Sequence, residues 1–505
     1  MNNNNNKKRI FSFLNREKNF YNNVFSLAIP LVLQNLLSCA LGLIDSYVNG
    51  RLGELSLAAV SVYGIPNTVV WSFSFGSQGG TSILVSQYNG KKDNKSINKV
   101  MGVGLIMSVL VSLIYALINI ICPNQFYSLF SNEQEVIKLT SLYATPCSVA
   151  NLLNTFDMIY LAVLRSIGYP QFGTVILGFS MVSNIILDFI LAYGWFGAPA
   201  LGLVGTAYAT LIVRTIEFIA VILHMIFNKK FKVELKYVLN PGIDMFKRHF
   251  KNAGTVILNE SIWGLGISAI SNVMSHMPGS TAILSARSIS SNVEWISSCF
   301  EMSLSASASV IIGNNVGAGT DKNTIKDIGK ALITLSTLVG FVWGILLFII
   351  AKTILPIYIY PAFNFSKEAA EICTMMTICG AILTPFKSFN NTVVTGVLRG
   401  GGDVKVSALI DTLPLWLAAV PYAYITGMIL KLDINIVYLT FVVQYAIQTI
   451  FGLIRMSGTK WIKDITGTAS YAEQKAFDDN VIFWLCNYIV FFNKKRRYFS
   501  PFSFK

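Results

Sequence analysis

Charge is scarce in this chain. Asp, Glu, Lys and Arg make up 13% of the 505 residues, while hydrophobic side chains make up 53%. Soluble globular domains carry about 25% charged residues, so a water-soluble protein of this size is excluded. Histidine is sparse too, and His224, His249 and His276 lie too far apart for a metal-ligand spacing. The seven cysteines (Cys39, Cys122, Cys147, Cys299, Cys373, Cys379 and Cys486) are odd in number, scattered and mostly within apolar runs. That pattern implies neither a disulfide framework nor a zinc site. No G-x-x-x-x-G-K-[ST] loop is present, which disfavours a nucleotide-driven pump. No nucleophile–base pair or metal cluster marks an enzyme, and no cofactor is expected. The start, MNNNNNKKRI, lacks the apolar core of a signal peptide.

Long apolar runs are plentiful. Residues 100–122, 331–351 and 434–454 contain no Asp, Glu, Lys or Arg. Each is long enough to cross a bilayer core, which needs about 20 residues. A β-barrel would instead show alternating strands of about 10 residues, and none is evident. The expected class is an all-α polytopic membrane protein. Twelve spans are expected, at 24–48, 57–85, 100–122, 136–163, 172–193, 202–227, 253–276, 281–312, 328–351, 368–396, 406–430 and 434–455. The net charge of +14 comes from Lys and Arg in alternate loops. This fits the positive-inside rule better than nucleic-acid binding. The expected organisation is a basic cytoplasmic tail (1–23), an N-lobe (24–227), a basic cytoplasmic linker (228–252), a C-lobe (253–456) and a cytoplasmic tail (457–505). Both termini then face the cytoplasm, in a plasma or inner cell membrane. In the last tail, 481–492 is too short to span and reads as an interfacial segment, with a thirteenth span less favoured.

Residues 172–193 are apolar throughout except for Asn184 and Asp188. These two are four apart and share one helix face. A carboxylate in a span costs roughly 2.5–3.5 kcal/mol on insertion scales, so it is seldom kept without a use. Asp188 is therefore a candidate proton or cation site. The structural alternative is a hydrogen bond to Asn184 or to neighbouring helices.

Two motifs recur. LAVLRSIG at 161–168 matches TGVLRGGG at 395–402, and LVSQYNG at 84–90 matches IIGNNVG at 311–317. The offsets, 234 and 227, are nearly equal. A six-span unit thus occurs twice, and an even number of spans makes the repeats parallel, related by an axis along the membrane normal.

LAIPLVLQNLLSCALGLIDSYVNGRLGE, QYNGKKD, VLRSIGYP, NIILDFILAYG, GNNVGAG and VLRGGGDVK together resemble the multidrug and toxic compound extrusion (MATE) transporters of the MOP flippase superfamily. The likeness covers residues 24–456 in the family's motif order. It implies two six-helix lobes around a V-shaped cavity, and export of cationic or amphiphilic organic compounds coupled to inward H⁺ or Na⁺. The family's Asn-x-x-x-Asp ion-site motif maps onto Asn184 and Asp188. The Asp of its (V/I)DT motif maps onto Asp45, with Ser46 in place of Thr.

On this topology Asp45 and Asp188 both fall in the outer halves of their spans, at similar depth, where two nearby carboxylates are not comfortably both ionised. The alternative for Asp45 is a solvated helix end. The 234-residue offset puts Tyr422 opposite Asp188, and Ile270 is read as standing opposite Asp45, so the pair belongs to the N-lobe alone. Glu260 is unpaired within its helix and resembles an acid that some members use for cation or substrate binding. Glu294 and Glu301, a heptad apart, are candidates to line the C-lobe cavity, against a link to loop bases. Asp157 aligns with Asn391 as a polar cavity position, and Thr206 and Thr210 are candidates to bring hydroxyls to Asp188. Glu217 is expected to pair with Arg214, and Asp411 reads as structural. Tyr63, Trp71, Trp263 and Trp295 are candidates to stack on a cation.

The expected function is secondary active multidrug efflux by antiport with H⁺ or Na⁺, through alternating access. No bound metal is expected beyond Na⁺ at Asp45, Asn184 and Asp188. Expected partners are small cationic or amphiphilic molecules and the lipid bilayer, with the protein a monomer. The rival is a lipid or lipid-linked oligosaccharide flippase of the same superfamily. That activity favours a basic cavity, whereas the expected spans carry more acids than bases. A channel would need a filter, which a twofold repeat of six spans does not suggest.

Overall fold

The computed structural model describes residues 18–363 and 365–467. The expected interfacial segment at 481–492 and most of the first tail lie outside the described residues. The described residues contain helices and no strand. Among the described residues twelve helices are long and apolar enough to span: α1 (Lys18–Arg51), α2 (Glu54–Gly90), α3 (Asn94–Ile121), α4 (Gln134–Ser166), α5 (Gln171–Tyr193), α6 (Leu203–Phe227), α7 (Ile243–Ser275), α8 (Ser280–Gly317), α9 (Lys322–Ala362), α10 (Lys367–Leu398), α11 (Val404–Ile429) and α12 (Ile434–Ser457). The count matches the apolar runs, but the ends do not. Helix α7 starts at Ile243 rather than near 253, and α9 runs to Ala362 rather than 351. Apolarity marks the bilayer core, whereas a helix continues until its backbone is capped. Asp93 caps α3 by accepting from Ser96 N at 3.0 Å, and Asp321 caps α9 by accepting from Asn323 N at 3.0 Å.

Helices α1 to α6 pack as one lobe and α7 to α12 as the other. In the first, α4 packs on α2, α3 and α6, and α5 joins α1 to α6. In the second, α10 packs on α8, α9 and α12, and α11 joins α7 to α12. The repeat in the sequence is a repeat in the backbone. After α4, Gly168 N donates to Arg165 O and Tyr169 N to Leu164 O (3.1 and 2.8 Å). After α10, Gly402 N donates to Arg399 O and Asp403 N to Leu398 O (3.0 and 2.9 Å). Gly168 and Gly402 both take a positive φ, +94° and +85°, which glycine adopts without strain. After α2, Lys91 N donates to Gln87 O and Asp93 N to Tyr88 O. After α8, the same two bonds run from Ala318 N to Asn314 O and from Thr320 N to Asn315 O.

The lobes meet where α2 crosses α7 and α8, and where α8 crosses α1. At the crossing of α2 with α8 the two backbones touch. A Cβ on Gly90 would strike Asn314 O, and one on Gly317 would strike Gln87 O. These collisions are equivalent under the 227-residue offset, so the pseudo-twofold axis passes between them. Small residues permit such an approach between membrane helices. Beside it Asn89 Nδ2 donates to Asn314 Oδ1 (3.0 Å), and farther along the lobe interface Thr81 Oγ1 pairs with His249 Nε2 (2.9 Å) and Asn35 Nδ2 donates to Ser303 Oγ (3.0 Å). Gly90 and Gly317 end their helices at the Lys91–Lys92 and Lys322 connections, so this seam lies toward the basic face.

Gly317→Val is expected to lower the thermal unfolding midpoint in detergent, because overpacking costs about 1–3 kcal/mol. Gly64→Ala, on the same kind of helix with nothing within 4 Å of its added Cβ, is expected to leave the midpoint unchanged or higher.

Candidate ion and substrate site

Helices α1 and α5 run side by side, pinned at both ends. Toward the basic face, Gln34 Nε2 donates to Pro170 O (3.1 Å) and Thr174 Oγ1 to Pro30 O (3.1 Å). Toward the opposite face, Tyr193 OH donates to Val48 O (2.9 Å). Asp45 lies three residues before Val48, and Asp188 five before Tyr193. At 1.5 Å per residue the two acids differ by about 3 Å in depth, and they lie within electrostatic reach of each other. Asp188 is 2% exposed and Asp45 is half-buried, and each has a buried Oδ1 without a hydrogen-bond partner.

Asn184 is also buried, one turn from Asp188, and its Nδ2 donates to Thr210 Oγ1 at 3.4 Å. Thr210 therefore joins the pair through Asn184. Thr206 turns instead to Asn49 Oδ1 (3.4 Å) and Leu203 O (2.8 Å). A separate acidic group lies in the same lobe. Asp157 is fully buried with both carboxyl oxygens unpartnered, and it lies within electrostatic reach of Glu217 and Arg214. Glu217 Oε2 accepts from Arg214 Nη1 (2.6 Å) and Ser180 Oγ (3.0 Å), so the expected pairing within α6 is present. Arg214 also reaches Asp45 electrostatically. Tyr63 is buried in a polar network, accepting from Asn151 Nδ2 at 2.7 Å. Trp71, Trp263 and Trp295 keep 51%, 37% and 51% of their surface exposed, which leaves them open to a ligand or to lipid.

The C-lobe acids are built differently. Tyr422, 234 residues after Asp188, donates to Ile436 O (3.2 Å), and Ile270 is buried. Glu294 is not tied to loop bases. Lys387 of α10 forms an ion pair with it, Arg287 lies 3.7 Å away on α8, and Ser290 and Tyr438 donate to it at 3.2 and 3.5 Å. Arg287 is itself held over the rings of Tyr438 and Phe441, 5.7 and 5.2 Å from their centroids. Glu301 is buried and accepts from Ser297 Oγ at 3.0 Å, with Lys387 in electrostatic reach. Glu260, unpaired on its own helix, pairs with Arg399 Nη2 across the lobe at 2.9 Å. Asp411 accepts from Asn259 (2.8 Å) and Gln448 (2.9 Å), a structural role. The structure thus groups Asp45, Asn184, Asp188 and Thr210, places Asp157 with Glu217 and Arg214, gathers Glu294 and Glu301 around Lys387, and pairs Glu260 with Arg399. Among the described residues no group of three His, Cys, Asp or Glu could hold a metal ion.

Two six-helix lobes related along the membrane normal, closed on the basic face and carrying buried acids at membrane depth, define a membrane transporter and not an enzyme. A family model described as MatE matches residues 30–190 and 257–425, and the chain belongs to that family. It is 23% identical over 447 residues to the uncharacterized transporter YisQ of Bacillus subtilis strain 168, covering 87% of this chain and 95% of YisQ. It is 25% identical to the probable multidrug resistance protein YoeA of the same organism, covering 83% and 90% of the two chains. A solved structure described as the outward-facing conformation of a multidrug resistance MATE family transporter of the MOP superfamily superposes with a TM-score of 0.77 at 16% identity, over 87% of this chain and 96% of that one.

Sequence reasoning missed the bases of the C-lobe. Lys387 follows Glu294 by 93 residues and Arg399 follows Glu260 by 139, so neither helical periodicity nor neighbouring charge could reveal them. The available signal was a lone Lys inside an apolar run, which in a span demands a partner. Lys387→Met is expected to destabilise the protein in SDS mixed-micelle titrations. The loss should fall below the ~3–5 kcal/mol of a broken buried pair, because Arg287 still faces Glu294. Adding Glu294→Gln to Lys387→Met is expected to recover most of it.

Proposed function

We propose that the chain exports organic cations and amphiphiles by antiport with H⁺ or Na⁺, with Asp45, Asn184 and Asp188 as the ion-coupling site. The observation that carries this reading is the Asp45–Asp188 pair itself: two carboxyls at one depth, each with an unpartnered buried oxygen. A proton or a small cation is the simplest group that completes both. The multidrug resistance names of YoeA and of the probable NorM of Thermotoga maritima support the substrate class. The flippase alternative is not favoured, because the N-lobe presents unsatisfied acids where a pyrophosphate would need bases.

The basic face is assigned to the cytoplasm by the positive-inside rule. With the seam closed on that face, the acids are approached from outside. Taking up H⁺ or Na⁺ there neutralises them and removes their attraction for a cationic substrate, which leaves. The lobes, 24–227 and 253–456 about the linker 228–252, then rock so that the ion is released inside and the next substrate binds. One elementary charge moving inward gains about 2.3 kcal/mol per 100 mV. This drive acts when the substrate is uncharged or more than one ion enters per cation, whereas a one-for-one exchange with a monovalent cation moves no net charge and is driven by the ion's concentration gradient. Asn184 and Thr210 supply the amide and hydroxyl oxygens that a Na⁺ ion would use beside the carboxylates. Asp157, through Arg214, is the next acid along the N-lobe. Glu301 and Glu260 are secondary candidates for substrate contact, and Glu294 is the least available because its bases already neutralise it. The unit of transport is the monomer, since both lobes come from one chain.

Asp188→Asn is expected to abolish gradient-driven export of a fluorescent organic cation from proteoliposomes while the protein still inserts and folds. Comparing an imposed pH gradient with an imposed Na⁺ gradient identifies the ion. Normal export in Asp188→Asn would sink the assignment.

A further inference from the structure

The chain does not leave the protein at the end of α12. Residues 458–467 lie beyond those matched by the family model, yet they carry some of the most buried side chains at the basic face. Trp461 is fully buried in the C-lobe core with Val397, Leu398, Met456 and Ile462. Its ring lies where a Cβ on Gly401 would be. Lys463 N donates to Gly401 O (2.7 Å) and Lys463 Nζ to Asp403 Oδ1 (2.7 Å). The segment is therefore anchored on the second lobe.

It then crosses to the first. Ile465 is 4% exposed and belongs to the largely N-lobe core cluster that includes Tyr88 and Val100 and, from α11, Val404. Gln87, fully buried at the end of α2, accepts from Ile465 N (3.0 Å) and donates to Lys463 O and Gly400 O, both at 3.2 Å. Lys91 Nζ pairs with Asp464 Oδ2 at 2.7 Å. Burial alone would raise the Asp464 carboxyl, but its bonds to Lys91 and Thr466 outweigh that and hold it below the usual carboxylate range. Tyr88 OH donates to Thr466 O (3.4 Å), and Arg248 at the start of α7 donates to both groups. One short strand of chain thus has an apolar anchor in each lobe, with polar bonds to both between them.

We propose that residues 458–467 are a latch that holds the lobes together on the basic face. Opening on that face pulls Ile465 from its pocket and strips the Gln87 amide of its partners, and buried amides left unpaired are costly. The segment therefore sets the balance between the two access states without touching the ion site. This rests on the alternating-access reading.

The test is hydrogen–deuterium exchange of the full chain in lipid nanodiscs, followed in seam peptides covering 76–90 and 303–317, with 141–166 inside the N-lobe as reference. Gln87→Ala is expected to speed seam exchange about tenfold, equivalent to ~1.4 kcal/mol, with the reference unchanged. Lys91→Glu and Asp464→Lys alone are expected to speed it a few-fold, as a partly exposed ion pair allows, and the doubly swapped variant is expected to restore the wild-type rate. Seam exchange that matches wild type in Gln87→Ala, or a double swap no slower than the single variants, overturns the latch. The wild type with added organic cation separates the two ideas. If substrate changes seam exchange and latch variants do not, the latch fails and alternating access stands. If latch variants open the seam but no gradient drives export, the latch stands and the transport reading fails.

Discussion

The crossing of α2 and α8 is the constraint on which the rest depends. At Gly90 and Gly317 no side chain separates the two backbones, and the partners that a Cβ would strike, Asn314 O and Gln87 O, are themselves related by the repeat. Lipid offers no hydrophobic drive for helices to associate, so close packing and hydrogen bonds must hold them. Both are concentrated here, toward one end of long helices. The close contact continues along α2 to Gly80 and Gly76, where an added Cβ would strike Ala253 and Ile257 of α7, so the lobes are joined along the basic-side part of α2.

Beyond this seam the two halves have diverged in charge. The C-lobe neutralises its acids internally: Glu294 with Lys387 and Arg287, and Glu260 with Arg399. Such pairs are costly to desolvate and costlier to break, which suits fixed structure. In the N-lobe the Asp45, Asp188 and Asp157 carboxyls keep unpartnered oxygens. An acid in that condition can gain a proton or cation without first giving up a salt bridge. Among the described residues the buried carboxyl oxygens without a partner are all in the N-lobe, which is what supports the proposal that coupling is placed there. The backbone differs as well. π-helical turns, at 355–359, 392–398, 415–419 and 425–429, fall in α9, α10 and α11 of the C-lobe. Prolines beside them (Pro356, Pro414 and Pro421) remove the amide that a regular α-helical ladder would use.

Much of this was legible in the residues. Twelve apolar runs read as twelve spans, and the LAVLRSIG and TGVLRGGG stretches read as a repeat because a positive-φ turn after each helix requires glycine at the same place. The shared depth of Asp45 and Asp188 followed from counting residues to helix ends. Helix limits were not legible, because hydropathy reports the bilayer core while capping residues such as Asp321 fix the ends. Glu260 read as unpaired because its partner lies across the lobe, and Lys387 went unnoticed for the same reason. Thr206 and Thr210 sit one turn apart and looked equivalent, yet Asn49 on α1 draws one away from the acid pair. The stretch after α12 read as a polar tail. Its Trp461, Ile462 and Ile465 gave no periodic signal, although they fix its place.

The central claim is that substrate and coupling ion compete through the N-lobe acid pair. Linkage makes this measurable without a membrane gradient, because two ligands that exclude each other must weaken one another reciprocally. The measurement is the equilibrium affinity of a fluorescent organic cation for the purified protein, taken across pH and across Na⁺ concentration. The account predicts that affinity falls as either pH drops or Na⁺ rises, and that this dependence disappears when Asp188 is replaced by Asn. An affinity indifferent to both ions, or a dependence that survives the replacement, would contradict it.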